Sequence, residues 1–558
     1  RVGLDTRLGI DALSGVDQRL DLRSGIARST FRLGADPCTV VTAVHPVRDA
    51  IAVRVRAGGR SVRSGPATRA ALRLRFAYGS EDAANACDWD RPDAHTTTVE
   101  RADVGWLVHR VLDGTRYWLR IHAPGTELVR VGPHDLVLRA DSTLSAVLEP
   151  AVAPPGGPAL TVDDVLRAST DAWAAYWDTG GVVELAGSDD PRALELERRV
   201  VLSQYLTAVN CAGSTPPAET GLLLNSWRGK FHLEMHPWHA AHFAQWGRPE
   251  LLERSLGWYL DILGEARATA RRQGLPGARW PKSCDPSGAE TPSSIGPFLV
   301  WQQPHPIQLA ELVYRARPTR ETLDRWAPLV LETAAFMAAL PTPGPHGLEL
   351  GPPVIPAQES YARDRARLRN PTFELAYWRW GLRTADAWLR RLGRPDAGWS
   401  RVADAMTPPT VRDGVYTALG TAPWTVRTDH PSMLAALGLV PDTGLVDRAV
   451  MARTLDGVLA DWDWPSTWGW DQPMIAMTAT RLARPDLAVD ALLADRPKNA
   501  FLANGHNYQT AGLPAYLPGN GSLLAAVGLM AAGYDGSGPT PGFGPAWRVA
   551  HEGVLPLP

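Results

Sequence analysis

The stretch TVDDVLRASTDAWAAYW, residues 161–177, is where the sequence changes from strand spacing to helical spacing. Thr161 is the expected N-cap of its helix, and the acidic residues that follow suit the positive end of the helix dipole. The fold is therefore expected to change class here, with strands before this segment and helices after it.

The sequence before residue 156 predicts an antiparallel β-sandwich. Short runs tend to alternate apolar and polar residues, and clusters of Gly, Pro, Asp and Asn separate them. These runs are 19–23, 50–55, 71–76, 116–122 and 135–139. The segment AVAPPGGPAL, residues 151–160, is a Pro/Gly-rich linker. We therefore expect a β-sandwich domain over 1–155, then the linker and first helix over 156–175.

The sequence after residue 175 predicts about a dozen helices, several of which start with Pro in the first turn. The amphipathic stretches are 191–212, 237–246, 249–272, 304–316, 320–340, 372–392, 398–405, 431–437, 444–459, 473–482, 485–494 and 522–532. Short connections alternate with long loops rich in Trp, His, Gln and Asn. A ring of helical hairpins, with the long loops building a site at one end, would explain this alternation.

The composition excludes several classes of partner. The chain has 57 basic and 59 acidic residues and a net charge of −2, without the concentrated Lys/Arg that nucleic acid or an anionic membrane needs. No stretch approaches the ~20 apolar residues that span a bilayer. We expect a monomer or homodimer. No signal peptide precedes Arg1, so a cytoplasmic location and secretion after signal removal both stay open.

The four cysteines are far apart and form no CxxC pair. A zinc ribbon or a disulfide-dense scaffold is therefore not expected, although a Cys38–Cys87 bridge stays open.

Tryptophan is the most informative residue type in the composition. The chain has 22 Trp against 12 Tyr and 9 Phe, and 16 of the Trp lie between Trp227 and Trp470. Indole rings beside Gln, Asn, His and carboxylates suit a sugar site, where the C–H faces of a pyranose stack on the rings. Core packing is the other role of indole. The sequence alone leaves both roles open.

The densest group of polar residues is NSWRGKFHLEMHPWHAAHFAQW, residues 225–246, which contains Lys230, His232, Glu234, His236, His239 and His242. Imidazole and carboxylate are zinc ligands, but the HExxH pattern is absent and Pro237 interrupts a helix that would align two of the histidines. We expect substrate hydrogen bonding or structural roles here, and neither a metal nor a cofactor.

Three further loops carry candidate groups. In GPPVIPAQESYARDRARLRNPTFE, residues 351–374, prolines hold Glu359 on an extended loop, where partial desolvation could make it a general acid. Its alternative is a surface residue beside Arg363 and Arg365. In DWDWPSTWGWDQPM, residues 461–474, Asp471 could cap a helix or contact a sugar. The loop NGHNYQTAGLPAYLPGNGS, residues 504–522, precedes the last helix.

Taken in order, these loops resemble those of the six-hairpin glycosidases, with glycoside hydrolase families 65 (maltose and kojibiose phosphorylases and hydrolases) and 95 (α-L-fucosidases) as the nearest relatives. The resemblance spans nearly the whole chain. It implies a mainly α protein in which an N-terminal antiparallel β-sandwich is followed by an (α/α)6 barrel. The catalytic barrel is then expected over 176–535, with a tail over 536–558 that packs back on it.

The resemblance also implies roles for particular residues. PAQESY followed by RNPTFELAYW resembles the GPDEY acid segment of family 65, which implies Glu359 as general acid. HLEMHPW resembles the turn that holds the terminal sugar, and WGWDQPM resembles the KQADV segment, which implicates Glu234 and Asp471. The expected substrate contacts are Trp227, Lys230, His232, Glu234, His236, Trp238, Gln302, Gln358, Asn370, Trp468, Trp470, Gln472, His506 and Tyr508.

The resemblance to this clan implies an inverting mechanism, in which an acid and a base lie about 6.5–9.5 Å apart on opposite faces of the sugar. Glu359 is the expected acid, Asp471 the leading candidate for the base and Glu234 the second. Exo action is expected because such barrels close their cavity into a pocket, and an α-linked terminal sugar is the implied substrate.

The sequence departs from both families in the last loop. The fucosidases carry the aspartate of an IDGNFG segment there, whereas this chain reads LPGNGS, with Pro518 at that place. The Ser-Ser run of the phosphorylases is also missing. Three alternatives therefore stay open: a glycoside phosphorylase, a polysaccharide lyase using His506 and Tyr508, and a non-catalytic carbohydrate-binding protein.

Overall fold

The structure, a computed structural model, describes residues 1–6, 9–58, 70–82 and 85–558. The chain divides into two units, Arg1–Thr179 and Gly180–Pro558. Strands dominate the first unit and helices the second, so the change at residue 161 that the sequence predicts is confirmed.

The described residues of the first unit form two large antiparallel sheets and one two-stranded pair. Its strands are β1 Val2–Leu4, β2 Leu13–Asp21, β3 Ile26–Leu33, β4 Asp36–Val44, β5 Ile51–Ala57, β6 Ala70–Arg75, β7 Tyr78–Gly79, β8 Cys87–Asp88, β9 His95–Arg101, β10 Trp106–Leu112, β11 Thr115–His122, β12 Glu127–Gly132, β13 Asp135–Ala140 and β14 Thr143–Ala151. Eight strands pair in the order β2-β3-β4-β5-β14-β11-β10-β9, and four pair in the order β1-β6-β13-β12.

The two sheets of the first unit share one hydrophobic core. Leu72, Leu136 and Leu138 of the four-stranded sheet pack in the same cluster as Ile121 and Leu144 of the eight-stranded sheet. On β13, Leu136 and Leu138 pair with β6 and are two residues apart, so the alternation of side chains brings both to the core.

The first helix belongs to the first unit. The α-helices of the whole chain are α1 Val162–Asp178, α2 Ala193–Cys211, α3 His236–Gln245, α4 Pro249–Asp261, α5 Leu263–Arg272, α6 His305–Ala316, α7 Arg320–Ala339, α8 Thr372–Leu392, α9 Trp399–Asp404, α10 Arg448–Asp461, α11 Asp471–Arg481, α12 Pro485–Leu493 and α13 Leu517–Ala532. The N-cap expected at Thr161 is confirmed, because Thr161 and Asp164 form a reciprocal capping box. Val162 and Val165 of α1 then pack against Ala52 and Val147 of the sheet.

The Cys38–Cys87 bridge that the sequence left open is absent, since both residues are free thiols in the structure. Cys38 lies on β4, whereas Cys87 lies on β8, which pairs only with β7 among the described residues.

The helices of the second unit form an inner and an outer set. The inner elements are α3, α6, α8, the 3-10 helix Ser432–Ala436, α11 and α13, and each contacts the next in this order. Because α13 also contacts α3, the inner elements close into a ring. The helices α2, α4, α7, α9, α10 and α12 alternate with them along the chain. None of the helices in the described ranges is both long and apolar enough to cross a membrane.

Four helical predictions differ from the structure. Two differ in where the helix begins, because α10 begins at Arg448 and not at residue 444, and α13 begins at Leu517 and not at residue 522. The single helix expected over 249–272 is interrupted at Ile262, which separates α4 from α5. The helix expected over 431–437 is the 3-10 helix Ser432–Ala436, whose N-cap Pro431 is non-helical. A segment of five residues is too short to gain much from α-helical hydrogen bonds, so packing in the inner ring sets its conformation.

Short strand pairs connect the loops of the second unit. They are β15 Val182–Glu184 with β24 Ala550–Glu552, β16 Phe231–His232 with β17 Ser283–Cys284, β18 Thr342–Gly344 with β19 Gly347–Glu349, β20 Val411–Arg412 with β21 Val415–Tyr416, and β22 Ala500–Phe501 with β23 Asn507–Tyr508. The pairing of β16 with β17 matters most for function, because it positions charged residues on either side of it.

Candidate active site

Glu359 is the most accessible member of a row of charged side chains in the second unit. It begins the 3-10 helix Glu359–Asp364, directly after a loop that contains Pro352, Pro353 and Pro356. Its side chain is 41% exposed, and its carboxylate forms an ion pair with the ammonium of Lys282. The loop therefore presents a carboxylate that both solvent and a buried cation can reach.

The row continues inward from Lys282 with alternating charge. Lys282 Nζ lies 3.0 Å from Glu234 Oε2, and the same oxygen lies 3.3 Å from His232 Nε2. His232 Nδ1 lies 2.7 Å from Glu219 Oε2. We call these five side chains the charged row; they are Glu219, His232, Glu234, Lys282 and Glu359. Glu219, His232 and Glu234 are buried, whereas Lys282 is 16% exposed and Glu359 is the most accessible member.

Local pairing of strands brings the middle of the row together. His232 of β16 pairs with Ser283 of β17, so Lys282 precedes one strand while Glu234 follows the other. The backbone N–H of Glu234 also donates to the carbonyl of Lys282 at 3.1 Å. Residues some fifty positions apart in sequence therefore become direct neighbours.

Three neighbouring members of the row, Lys282, Glu234 and His232, are charged at neutral pH. Burial by itself would raise the pKa of Glu234, but Lys282 and His232 hold it well below its ordinary value. Burial would lower the pKa of His232, but Glu219 and Glu234 raise it to about 9. Burial also opposes the charge of Lys282, yet Glu234 and Glu359 raise its pKa.

Glu234 has further partners that fix its orientation. Trp301 Nε1 donates to Glu234 Oε1 at 3.0 Å, and His305 Nε2 lies 3.1 Å from its backbone carbonyl. Both carboxylate oxygens of Glu234 are therefore already engaged by the protein.

Asp471 lies at the start of α11 in a second group, together with His430 and Asp429. His430 Nδ1 is 2.9 Å and 3.0 Å from the two carboxylate oxygens of Asp471. On the other side of the ring, His430 Nε2 is 3.4 Å from Asp429 Oδ1. We call these three residues the histidine triad. Asp471 is fully buried, and its Oδ2 also accepts from the backbone N–H of Trp468 at 2.8 Å.

The protonation of His430 follows from its two carboxylate neighbours. Burial would lower its pKa, but Asp471 and Asp429 raise it to about 9. At neutral pH the ring is therefore an imidazolium, and both of its nitrogens carry protons.

Aromatic rings connect the two groups. Trp470 is buried and stacks on His430 with ring centroids 4.0 Å apart, and also on Trp238 and Trp301 at 5.6 Å and 6.0 Å. Trp238 is also buried and lines a cavity together with Gln245 and Tyr377.

Trp227 and Trp468 are more accessible. Their rings lie 6.0 Å apart at 51°, and the ring of Trp227 meets His232 of the charged row edge-on at 5.8 Å. Trp227 is 37% exposed and has φ 48°, a left-handed backbone conformation. Trp468 also contacts Tyr516 at 5.5 Å, just before α13. These two indoles therefore offer apolar ring faces beside the charged row.

Two of the expected substrate contacts point to outer helices instead. His236 lies between Ser255 Oγ at 2.9 Å and Tyr259 OH at 3.0 Å, both on α4. The amide of Gln472 is buried beside Arg496, near the end of α12. Both side chains are fully engaged in packing between helices.

Gln358 precedes Glu359 but does not accompany it towards Lys282. Its amide nitrogen donates to the carbonyls of Val426 and Thr428, each at 2.8 Å, and its oxygen accepts from Ser432 Oγ at 3.2 Å. Gln358 thus ties the Glu359 loop to the segment that contains Asp429 and His430.

Gln302 and Asn370 are also occupied by backbone groups. Gln302 Nε2 donates to the carbonyls of Leu299 and Trp280 at 2.9 Å and 3.3 Å. Asn370 Oδ1 accepts from the N–H of Leu350 at 3.0 Å, and its φ of 52° is a value that asparagine tolerates well.

The remaining expected substrate contacts are partly exposed. Lys230 is half-buried close to Asp285, just before β16. His506 and Tyr508 are partly exposed, and burial lowers the pKa of His506. Gln509 follows Tyr508 in the sequence, and its Oε1 accepts from the N–H of Gly469 at 3.1 Å.

The structure adds residues that the sequence did not single out. They are Glu219, Lys282, Trp301, Asp429, His430 and Tyr516. One sequence signal could have found Lys282, because only three of the 57 basic residues are lysines, and these are Lys230, Lys282 and Lys498. Within the described ranges, no group of three or more His, Cys, Asp or Glu side chains is arranged to hold a metal ion.

Comparison with known proteins identifies the fold. No family model and no curated protein sequence matches the chain. Among solved structures, a protein described as a kojibiose phosphorylase from the human microbiome has a TM-score of 0.65 at 9% identity, over 93% of this chain and 76% of that one. A bacterial glucoamylase complexed with acarbose has a TM-score of 0.58 at 11% identity, over 93% of this chain and 85% of that one. The chain therefore has a fold of the six-hairpin glycosidase type, which confirms the resemblance at the level of the fold.

Proposed function

We propose that the chain is a glycoside hydrolase that removes a terminal, α-linked sugar from an oligosaccharide or glycoside with inversion of configuration. The observation that carries the proposal is the half-exposed carboxylate of Glu359 at the accessible end of the charged row. The indoles of Trp227 and Trp468 beside that row suit the apolar face of a sugar ring. The names of the two fold neighbours, a phosphorylase of kojibiose and a glucoamylase, support a carbohydrate substrate.

We also infer that the closed ring of inner elements, with its alternating outer helices, is an (α/α)6 barrel, and that the two sheets form a β-sandwich. The order of contacts between inner elements supports the barrel, and the core that the two sheets share supports the sandwich. A barrel of this kind gathers loops from distant parts of the sequence at one end. It would thereby bring the loops of Glu359 and of Asp471 to the same opening.

Glu359 is proposed as the general acid that protonates the glycosidic oxygen. Its carboxylate pairs with Lys282, so an arriving sugar has to displace this contact before Glu359 can approach the glycosidic oxygen. Lys282 would then be free to contact a sugar hydroxyl while it still holds Glu234.

Glu234 suits a binding role better than the role of base. Glu234 and Glu359 contact the same ammonium, so their nearest oxygens are no more than about 6 Å apart, which is less than an inverting pair normally needs. A buried carboxylate with a fixed orientation can instead accept a hydrogen bond from a hydroxyl of the bound sugar.

The test is the kinetics of Glu359→Gln on glycosides with good and poor leaving groups. An acid role predicts a loss of about 10²- to 10⁴-fold in kcat/KM for the poor leaving group and a much smaller loss for the good one, which needs little protonation. The anomer formed first by the wild type, followed by NMR, tests inversion. Equal and modest losses on both substrates would refute the acid role.

A matched control is Asp364→Asn, which removes a carboxylate from the same 3-10 helix. Asp364 pairs with Arg367 on the surface, 2.5 Å away, so this variant should cleave both substrates at nearly the rate of the wild type. If Asp364→Asn and Glu359→Gln lose activity to the same degree, the 3-10 helix and not the acid would be responsible.

Phosphorolysis is the second candidate, and the last loop favours it. No Asp or Glu occurs between Asp495 and Asp535, so this loop offers no carboxylate to activate water. Lys498 of the same segment lies 5.7 Å from the centre of the Trp468 ring. Cleavage that requires inorganic phosphate and yields a sugar phosphate would decide for the phosphorylase, and an unsaturated product absorbing in the ultraviolet would decide for a lyase.

A further inference from the structure

Asp429 has a backbone conformation that the surrounding chain holds in place. Its φ of 68° lies in the left-handed region, which costs energy for a residue other than glycine even though aspartate tolerates it better than most. The N–H of Asp429 donates to Ser466 Oγ at 2.7 Å, and its carbonyl accepts from Trp462 Nε1 at 2.8 Å. Ser466 and Trp462 both belong to residues 461–470, DWDWPSTWGW, which precede Asp471 and which we call the aromatic loop.

This conformation turns the carboxylate of Asp429 towards the Glu359 loop. Asp429 Oδ2 accepts from the backbone N–H of Ser360 at 3.3 Å, and Ser360 directly follows Glu359. The side chain of Asp429 is 15% exposed, whereas that of Asp471 is completely buried. Asp429 is therefore the member of the histidine triad whose carboxylate solvent or a substrate can reach.

Asp471 is poorly placed to take a proton from water. Both of its oxygens face His430 Nδ1, and one of them also accepts from the N–H of Trp468. His430 in turn presents its other nitrogen to Asp429 and is fixed by its stacking on Trp470. The order from the interior outward is thus a buried carboxylate, an imidazolium and an accessible carboxylate.

From this arrangement we propose that Asp429 is the general base of the hydrolysis and that Asp471 and His430 are positioning residues behind it. The inference rests on the proposed function, because it assigns a role in that reaction. Asp429 takes a proton from water as the water oxygen bonds to the anomeric carbon. The bond from that carbon to the glycosidic oxygen breaks, and the leaving oxygen keeps the electron pair and takes the proton of Glu359. Exchange of protons with solvent then restores both carboxyl groups.

The test compares Asp429→Asn, Asp429→Ala and Asp471→Asn on an activated glycoside. Loss of the base should lower kcat by about 10²- to 10⁴-fold for both Asp429 variants. Azide should restore turnover of Asp429→Ala and yield a glycosyl azide of inverted configuration, because the small anion fits the space of the missing carboxylate and needs no base. Asp471→Asn should lose less activity, and azide should not rescue it.

Asp463→Asn is the matched control, since Asp463 is an exposed aspartate of the same aromatic loop. It should keep the kcat of the wild type. Binding of the monosaccharide product to Asp429→Asn, measured by calorimetry, checks that the variant is folded, and it should stay within about threefold of the wild type.

The outcomes separate this assignment from the proposed function. If the wild type cleaves glycosides in water while Asp429→Asn stays within tenfold of its kcat, the base is another group and the assignment fails alone. Asp471→Gly is tested beside Asp429→Ala for this reason, and azide rescue of Asp471→Gly but not of Asp429→Ala would move the base to Asp471. A wild type that cleaves no glycoside would overturn the proposed function itself, and the assignment with it.

Discussion

At the scale of single residues, Lys282 is the link on which the charged row depends. Its side chain is only 16% exposed and contacts two carboxylates. Lys282→Met would leave Glu234 buried beside His232 without its main counter-ion, and stranding a buried charge costs about 3 kcal/mol or more. We expect a drop of that size in the free energy of unfolding, measured by urea denaturation, together with a large loss of the proposed glycosidase activity.

Lys230→Met is the matched lysine control, because Lys230 is half-buried and lies outside the charged row. It should change the free energy of unfolding by less than about 1 kcal/mol. Adding Glu234→Gln to Lys282→Met should recover part of the lost stability. If Lys282→Met and Lys230→Met lowered the free energy of unfolding equally, the charged row would not be a particular source of stability.

Glu374 is a buried acid that no cation neutralises among the residues described. Burial raises its pKa to about 8, although the N–H of Ala357 donates to Oε1 at 2.7 Å. Because the folded pKa lies above the unfolded value of about 4.3, this group favours folding less as the pH rises from 4.3 to 8. Glu374→Gln should therefore stabilise the protein by up to about 3 kcal/mol at pH 7.5 and have little effect at pH 4.5.

The contrasting variant is Glu311→Gln. Glu311 is as deeply buried but is paired with Arg391 and accepts from Trp388 Nε1 at 2.6 Å. Its replacement should destabilise the protein at pH 7.5. If denaturation shows Glu374→Gln destabilising at pH 7.5 as well, the carboxyl of Glu374 is ionised in the folded state.

Sequence reasoning reached part of the site at this scale. It singled out Glu359 from the prolines around it and the motif it resembles, and the structure places this residue beside Glu234, which the sequence also named. It missed Lys282 and His430 because each acquires its partners across dozens of residues. Polar residues of this kind become neighbours only when the helices pack, so a local sequence pattern does not predict their contacts.

At the scale of elements, some helix starts were predictable to the residue, whereas those of α10 and α13 were not. Pro249 and Pro485 in first turns mark helix starts that the structure confirms, because the missing N–H costs nothing there. The sequence did not predict the break between α4 and α5 at Ile262, because the isoleucine side chain continues the amphipathic pattern of the residues around it. The sequence pattern reports which face is apolar, but it does not report where the axis breaks.

The packing of α13 on α3 gives a prediction at this scale. A Cβ at Gly521 would lie 1.8 Å from the carbonyl oxygen of Trp238, so the two backbones touch only because the residue is glycine. Gly521→Ala should force the helices apart and lower the free energy of unfolding by roughly 1–3 kcal/mol. Calorimetric melting of the purified variant would measure this loss.

Gly257→Ala is the control within α4, where a Cβ would meet nothing within 4 Å. Here the substitution should stabilise the protein by about 0.5–1 kcal/mol, because alanine favours the helix more than glycine does. If Gly521→Ala and Gly257→Ala changed the free energy of unfolding in the same direction, close packing of α13 would not limit stability.

At the scale of the whole molecule, two opposing sets of histidines predict a stability maximum near pH 6.5. One set has a pKa below the ordinary value, chiefly through burial, and includes His95, His236, His239, His242 and His305. Their contribution is lost as the pH falls from 6.5 through the folded values. The pKa values of His232 and His430, raised to about 9 against the effect of burial, imply a loss as the pH rises from 6.5 to 9.

Midpoints of urea unfolding between pH 4 and pH 10 would test this profile. His430→Gln should reduce the loss of stability between pH 6.5 and pH 9 and leave the loss below pH 6.5 nearly unchanged. Stability that rises steadily from pH 6.5 to pH 9 would contradict it. At this largest scale the sequence was most informative, because the change of spacing at residue 161 already separates the strands from the helices.

The ladder between β15 and β24 has a consequence for protein engineering. It holds the beginning and the end of the helical unit side by side, with Val183 opposite His551. A short linker could therefore join these two ends, and the chain could be opened instead at an exposed turn such as that of Leu222, which is 83% exposed. A circular permutant of this kind would keep every helix pair while it changed the order in which the pairs are synthesised.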